Sequence, residues 1–367
     1  MMEVEEQMKQ TKHTSSVHAN KNGRTMGPRA RARMRQRRRR RRILAFLGIC
    51  ILVLACVAGV LLLRDHSVSG LPKAFSILAE FPSRQQQSGI KLAESFAQNL
   101  CVSDSNNVEY EGISLPEGQQ GALFNVEDRT VMYAQGLYDR VYPASITKIM
   151  TAIVAYKYGD MSATVTVSEN ALDLEAGSQV CGLQVGDQLT LEELLDCLLV
   201  YSGNDAAAAI AEQVGGSISG FVDLMNQEAQ ALGCTGTHFT NPHGLQDENH
   251  YTTPYDIYLM LREALNYTSF LNTIQLSSYT ATPLHADGTE GSIFLESTDL
   301  YLTGAATPPK SVTILGGKTG TTSLAGNCLA LLAQNEYGKP YVAIVMGAST
   351  KDLLYQQMNT LLEKIND

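Results

Sequence analysis

SITKIMTAIVAYKY, residues 145–158, carries apolar side chains on nearly every face, and its only charge before residue 157 is Lys148. A helix of that kind belongs in the middle of a packed domain, because a surface helix keeps one polar side. Upstream, 122–126 and 130–134 are strand-like runs separated by Glu127, Asp128 and Arg129, the pattern of a hairpin. Downstream come helical stretches at 190–200, 204–214, 217–232, 253–266 and 351–365, and strand-like ones at 311–316, 327–334 and 340–347. The last three strands are joined by connections too short for parallel crossovers, so they pair antiparallel. The expected fold class is α+β, an antiparallel sheet flanked by helices.

The chain has 367 residues, 44% of them apolar and 18% charged, which excludes a wholly disordered or collagen-like chain. Its net charge of -9 averages two opposites: residues 1–42 hold 14 Lys and Arg against three Glu, +11, which leaves -20 on the remainder. Between the two regimes lies ILAFLGICILVLACVAGVLLL, residues 43–63, 21 residues without a charge or a proline. A helix of that length spans the roughly 30 Å of a bilayer's hydrocarbon. Ten arginines between Arg29 and Arg42 abut its start, so the positive-inside bias keeps the N-terminus in the cytoplasm and exports everything after residue 63. A cleaved signal peptide fits less well, since its apolar region usually runs about 7–15 residues and no A-x-A site follows. By composition the arginine block also matches a nucleic-acid patch. Its junction with the apolar run favours anionic lipid instead, at about 1 kcal/mol per basic residue near the surface, and no nucleic-acid partner is expected. The expected organisation is a disordered basic cytoplasmic tail (1–42), a transmembrane helix (43–63), an extracytoplasmic stalk (64–108) and a catalytic domain (109–367).

Cys50 and Cys56 lie in the apolar run, and Cys101, Cys181, Cys197, Cys234 and Cys328 lie beyond it. Five is odd, so at least one is unpaired within the monomer, and any pairing is left open. Cys197, inside LLDCLLV, reads as a buried inert thiol.

Three short patterns stand in order: Ser145-Ile-Thr-Lys148, Ser202-Gly-Asn204 and Lys318-Thr-Gly320. Singly, the first two are weak, because Ser88-Gly-Ile-Lys91, Ser105-Asn-Asn107 and Ser168-Glu-Asn170 fit the same strings. Context separates the chosen copies. Ser145 opens the buried helix, Ser202 follows the apolar run LLDCLLVY, and Lys318 ends a strand-like segment. Residues three apart share a helix face, so the Lys148 amine reaches the Ser145 hydroxyl. A helix N-terminus offers free N–H groups to an oxyanion, and burial favours a neutral lysine amine, a competent base. The plain alternative is a serine that caps the helix beside a lysine that reaches solvent.

Together the three patterns resemble the active-site signature of penicillin-binding proteins and serine β-lactamases. PASITKIMTA, LVYSGND and GKTGTT are similar in particular to the low-molecular-weight D-alanyl-D-alanine carboxypeptidases, as is TNPHGL followed by HYTT and Asp256. The resemblance covers roughly residues 109–367 and implies a β-lactamase/DD-peptidase-like domain that works without cofactor or metal. It assigns Ser145 as acylated nucleophile, Lys148 as general base and Ser202 as proton relay toward the leaving amine. Asn204 would hold the peptide carbonyl and Lys148, and Lys318 and Thr319 would receive the terminal carboxylate. Gly320 would keep the strand edge bare, and the N–H groups of Ser145 and Thr321 would form the oxyanion hole. Lys318 is expected to stay charged and Lys148 to be neutral. The segment around His243 reads as turns with a structural role.

His238, His243, Asp247 and His250 lie within 13 residues, yet no H-E-x-x-H helix is present and Pro242 and Gly244 break any regular ligand face, so metal catalysis is not expected. Many members of the family continue into a further β-domain and an amphipathic membrane helix, whereas 47 residues follow Gly320 here. The apolar run 43–63 would then replace that anchor, because the helix at 351–365 has too little positive charge for a lipid surface. The implied substrate is a peptidoglycan stem peptide ending in D-Ala-D-Ala, with β-lactam antibiotics as acylating mimics. Within the same fold the alternatives are a β-lactamase or a transpeptidase, and outside catalysis a silent wall-binding protein.

Overall fold

The computed structural model describes residues 99–367. The expected tail, the membrane span 43–63 and most of the stalk lie outside them. Among the described residues no helix is long and apolar enough to cross a membrane.

The elements run β1 (Gln120–Asn125), β2 (Thr130–Gln135), α1 (Lys148–Tyr158), β3 (Thr164–Thr166), β4 (Gln188–Thr190), α2 (Leu191–Asp196), α3 (Asn204–Gly215), α4 (Ile218–Leu232), α5 (Pro254–Ala264) and α6 (Thr268–Thr273). They continue with β5 (Ser278–Ala281), β6 (Ile293–Glu296), α7 (Leu300–Thr303), β7 (Thr313–Thr322), β8 (Gly326–Gln334), β9 (Pro340–Ala348) and α8 (Lys351–Leu362). Five strands form one antiparallel sheet in the order β2-β1-β9-β8-β7. The α+β architecture read from the sequence is the observed one, and its first hairpin and last two strands fall where expected. The small ladders β3-β4 and β5-β6 were not anticipated.

Strand alternation divides the interior in two. Ala122, Phe124, Ala330, Leu332, Val342 and Ile344 face the helical layer. Leu123, Leu329, Leu331, Ala343 and Val345 face the other way, against Leu354, Met358 and Leu361 of α8. Helix α8 therefore spends its apolar stripe on the sheet. In the helical layer α1 is wrapped by α3, α4 and α5, and its residues from Lys148 to Ala155 are all buried. Packing begins ahead of residue 109: Cys101 is buried, its N–H donates to the Tyr258 hydroxyl at 3.0 Å, and Val108 bridges to Ala134.

Two sequence expectations change. Ser145 does not stand on the α-helix but on a 3-10 turn, Ala144–Thr147, that feeds into it. Lys318 does not end its strand, because β7 runs on to Thr322 and pairs with β8 through the Lys-Thr-Gly segment. The five cysteines of the described residues are all buried free thiols.

Candidate active site

Strand β7 at the sheet edge, the turn ahead of α1, and the loop between α2 and α3 meet around a cleft of about 340 Å³. Ser145, Ser202, Asn204, Thr319, Gly320 and Thr321 line it, and Lys148 and Lys318 lie buried beneath. All eight residues singled out in the sequence thus come together.

The nucleophile turn is held in an unusual shape. Ala144 has φ +48°, in the left-handed region that non-glycine residues rarely occupy, at about 1–3 kcal/mol. What holds it comes from the segment 240–250. Gly244 packs so tightly that a Cβ there would lie 1.9 Å from the Ala144 carbonyl oxygen. Thr147 Oγ1 donates to that same oxygen at 2.8 Å and lies 2.8 Å from His250 Nε2. His250 Nδ1 accepts from the Thr240 N–H at 3.0 Å, so a neutral ring carries its proton on Nε2 and donates it to Thr147. Burial keeps that ring neutral by lowering its pKa to about 4.

Ser202 is held in a similar way. Residues Cys197–Tyr201 form a π-helical turn, and Ser202 closes it with φ +71°. Beside it, Gly203 sits against Cys181, whose sulfur would be 2.2 Å from an added Cβ. Asp205 anchors the facing loop by accepting from the N–H groups of Cys181, Gly182 and Leu183 at 2.9, 3.0 and 3.2 Å.

Gly320 also meets the nucleophile turn. A Cβ there would meet Ser145 N at 2.9 Å, Pro143 O at 3.0 Å and Ala144 Cβ at 3.1 Å. Its bareness lets β7 close on the nucleophile turn.

Lys148 Nζ lies 2.9 Å from Ser145 Oγ, 2.7 Å from Asn204 Oδ1 and 2.9 Å from the His243 carbonyl oxygen. Burial, followed by the nearby charge of Lys318, lowers its pKa well below the ordinary lysine value. A neutral amine has two hydrogens and one lone pair. Asn204 and the His243 carbonyl take the hydrogens, which turns the lone pair toward the Ser145 hydroxyl. That arrangement can draw the proton from Ser145 as the oxygen attacks.

Lys318 donates to Ser202 Oγ at 2.9 Å and to the Thr319 carbonyl at 3.0 Å. From the sequence it is expected to stay charged to bind a carboxylate; burial lowers its pKa to about 7, partly offset by the negative charge of Asp299, so it is protonated near and below neutrality.

The sequence reading missed several contributors. The His243 carbonyl acts through its backbone, and Thr298, whose Oγ1 lies 2.6 Å from Thr319 Oγ1, follows no recognisable pattern. The four residues of the metal alternative do not converge. His250 binds Thr147 and Thr240, and His238 Nδ1 turns to the Asn249 carbonyl at 2.6 Å.

The sequence profile of the D-alanyl-D-alanine carboxypeptidase family matches residues 117–350. D-alanyl-D-alanine carboxypeptidase DacF of Bacillus subtilis is 34% identical over 255 residues, 67% of this chain and 61% of DacF. DacA of Haemophilus influenzae is 29% identical over 270 residues, 71% of this chain and 65% of DacA. The chain thus spans less than two thirds of the length of these relatives. Among solved structures, the Streptomyces K15 DD-transpeptidase superposes with a TM-score of 0.62 at 26% identity, over 66% of this chain and 94% of that one. The fold is of the penicillin-binding and β-lactamase type. A family profile spanning more than half of the chain, over the residues that build both sheet and cleft, makes it a member of the D-alanyl-D-alanine carboxypeptidase family.

Proposed function

We propose that this chain is a serine-type D-Ala-D-Ala carboxypeptidase that trims the terminal D-Ala of peptidoglycan stem peptides through an acyl-enzyme on Ser145. The observation that carries the reading is the Lys148 amine, buried, 2.9 Å from Ser145 Oγ, with both its hydrogens occupied by Asn204 and the His243 carbonyl. Ser145 Oγ attacks the penultimate D-Ala carbonyl while Lys148 Nζ takes its proton. The N–H groups of Ser145 and Thr321 receive the oxyanion, consistent with the close approach of Gly320 to Ser145 N. Ser202, bound to Lys318, passes a proton to the departing amine, and Lys318 with Thr319 receives the terminal carboxylate. Water then releases the acyl group. Penicillins, which carry both a reactive amide and a carboxylate, acylate the same serine.

The apolar run 43–63 anchors this domain outside the bacterial cell membrane in a single pass, with the basic tail against anionic lipid on the cytoplasmic side. Incubation with a fluorescent penicillin, followed by mapping of the labelled peptide, tests the chemistry. Label is expected on Ser145, absent in Ser145→Ala and retained in Ser88→Ala, and D-Ala release from a D-Ala-D-Ala peptide is lost with it. Label elsewhere, or D-Ala release that survives in Ser145→Ala, overturns the reading. Transfer of the acyl group to an added amine in preference to water would make the activity a transpeptidase.

A further inference from the structure

Behind β7 lies a carboxylate that the reaction as described does not use. Asp299 is 2% exposed, and its Oδ1 accepts from the Tyr301 N–H at 3.0 Å and the Tyr355 hydroxyl at 3.2 Å. Its Oδ2 is buried with no hydrogen-bond partner. A buried carboxylate oxygen left unpaired is costly, and its retention calls for a cause.

The surroundings supply one. The residue before it, Thr298, bonds Thr319 side chain to side chain, which places this segment directly behind the Lys-Thr-Gly stretch. Tyr355 clamps it from α8, donating to Asp299 and accepting from the Leu300 N–H at 2.8 Å, and the same tyrosine lines the cleft. The titratable groups around Lys318 are Lys148 on α1, Asp299 and Tyr301 at α7, Tyr355 and Lys351 on α8, Cys328 on β8 and His243. Among the described residues, Asp299 is the carboxylate that acts on Lys318, and Lys318 the cation that acts on Asp299. They do not touch, for no ion pair joins them within 4.0 Å. The interaction runs through a dry interior, where charges act farther than in water.

We propose that Asp299 is a positioning residue for carboxylate capture, the buried counter-charge that keeps Lys318 an ammonium before substrate binds. This rests on the carboxypeptidase reading. Burial raises the Asp299 pKa, and the Tyr301 and Tyr355 hydrogen bonds and the charge of Lys318 oppose that rise; with Lys148 neutral, Lys318 protonated and Asp299 ionised, the three buried groups sum to zero charge. Oδ1 takes both local hydrogen bonds, which leaves Oδ2 as the carboxylate oxygen without one. A substrate carboxylate arriving from the cleft then meets a cation already formed.

The test uses the full chain and its Asp299→Asn and Asp299→Ser variants, both of which retain a side chain able to cap the Tyr301 N–H without a charge. Penicillin acylation is measured first, then kcat/KM from pH 5 to 9 on a D-Ala-D-Ala peptide and on its C-terminal amide. In wild type, kcat/KM on the free acid falls at alkaline pH as Lys318 loses its proton. Either variant is expected to move that fall toward acid by about one pH unit, a loss of about tenfold at pH 8 and under twofold at pH 6. The amide should change less than twofold at any pH. An unmoved alkaline limb, or equal losses on acid and amide at every pH, overturns the role of Asp299 while leaving the enzyme's function intact. A wild-type chain that takes no penicillin and releases no D-Ala overturns the function and this inference together.

Discussion

His250 illustrates how a residue remote from any substrate shapes the chemistry. Its ring nitrogens are both engaged, one by the Thr240 N–H and one by Thr147, and Thr147 holds the carbonyl of the strained Ala144 beside the nucleophile. Its proton affinity is correspondingly low, about 4 against 6.5 for a free histidine, because burial penalises the charged ring. Between those two values the unfolded chain binds a proton that the folded one refuses. The stabilisation is complete above pH 6.5 and is lost as pH falls toward 4. Thermal melts of the wild type should therefore drop over that window, and His250→Gln, which does not titrate, should show a smaller drop. Parallel slopes for the two proteins would remove His250 as the cause. His243, its pKa lowered to about 3 by burial first and then by Lys148 and His250, adds its own drop on acidification to both proteins. None of this was visible in the sequence, where His250 suggested only a turn or a metal ligand. The motif residues were legible because their side chains act directly. Groups that act through the backbone, such as the His243 carbonyl, have no side-chain signature to read.

The elements were legible where hydrophobic periodicity is strong and blurred where tertiary contact decides. Helix α1 needed no tertiary information, since only a buried helix tolerates apolar residues all round. The 3-10 turn ahead of it did, because Gly244 and His250 impose its shape from about a hundred residues away. Strand β7 was read too short because Gly316, Gly317 and Gly320 weaken its strand propensity, yet β8 pairs with it along its length. The ladder β5-β6 was missed because its four-residue strands carry almost no alternation and flank a turn-rich stretch containing Pro283 and Gly288. The glycines of β7 show what that weak propensity achieves. Gly317 approaches the Ala330 carbonyl, where a Cβ would come within 2.2 Å, and Gly320 admits the nucleophile turn. Gly320→Ala should thus push Pro143, Ala144 and Ser145 off β7 by a few tenths of an ångström. Overpacking of this kind destabilises by about 1–3 kcal/mol. Acylation should suffer more, by at least tenfold, because the Ser145 N–H is the group nearest the new methyl. A penicillin acylation rate within twofold of wild type, on a variant that melts normally, would show that the strand and the turn adjust independently.

Charge divides the whole molecule into a basic first 42 residues and an acidic remainder, +11 against -20, with the apolar run 43–63 between them. In the proposed topology the apolar run would separate these opposite charges by the thickness of a bilayer. The arginines abutting the run resist export, and beyond residue 63 only Arg64 stands close, followed at once by Asp65. Helix α8 packs Leu354, Met358, Leu361 and Leu362 on the sheet, and the proposed topology assigns attachment to the apolar run. Protease added outside intact cells should digest the domain that follows residue 63 and leave an epitope placed within the first 42 residues intact. Detergent should expose both, which shows that the protection comes from the membrane and not from resistance of the tail itself. Penicillin label should stay with the membrane pellet through a high-salt wash, because an apolar span holds where electrostatic attachment to anionic lipid is screened away. A mature chain that begins near Ser67 or Gly70, or label that salt releases, would mean that the run is removed and that the enzyme reaches its substrate untethered.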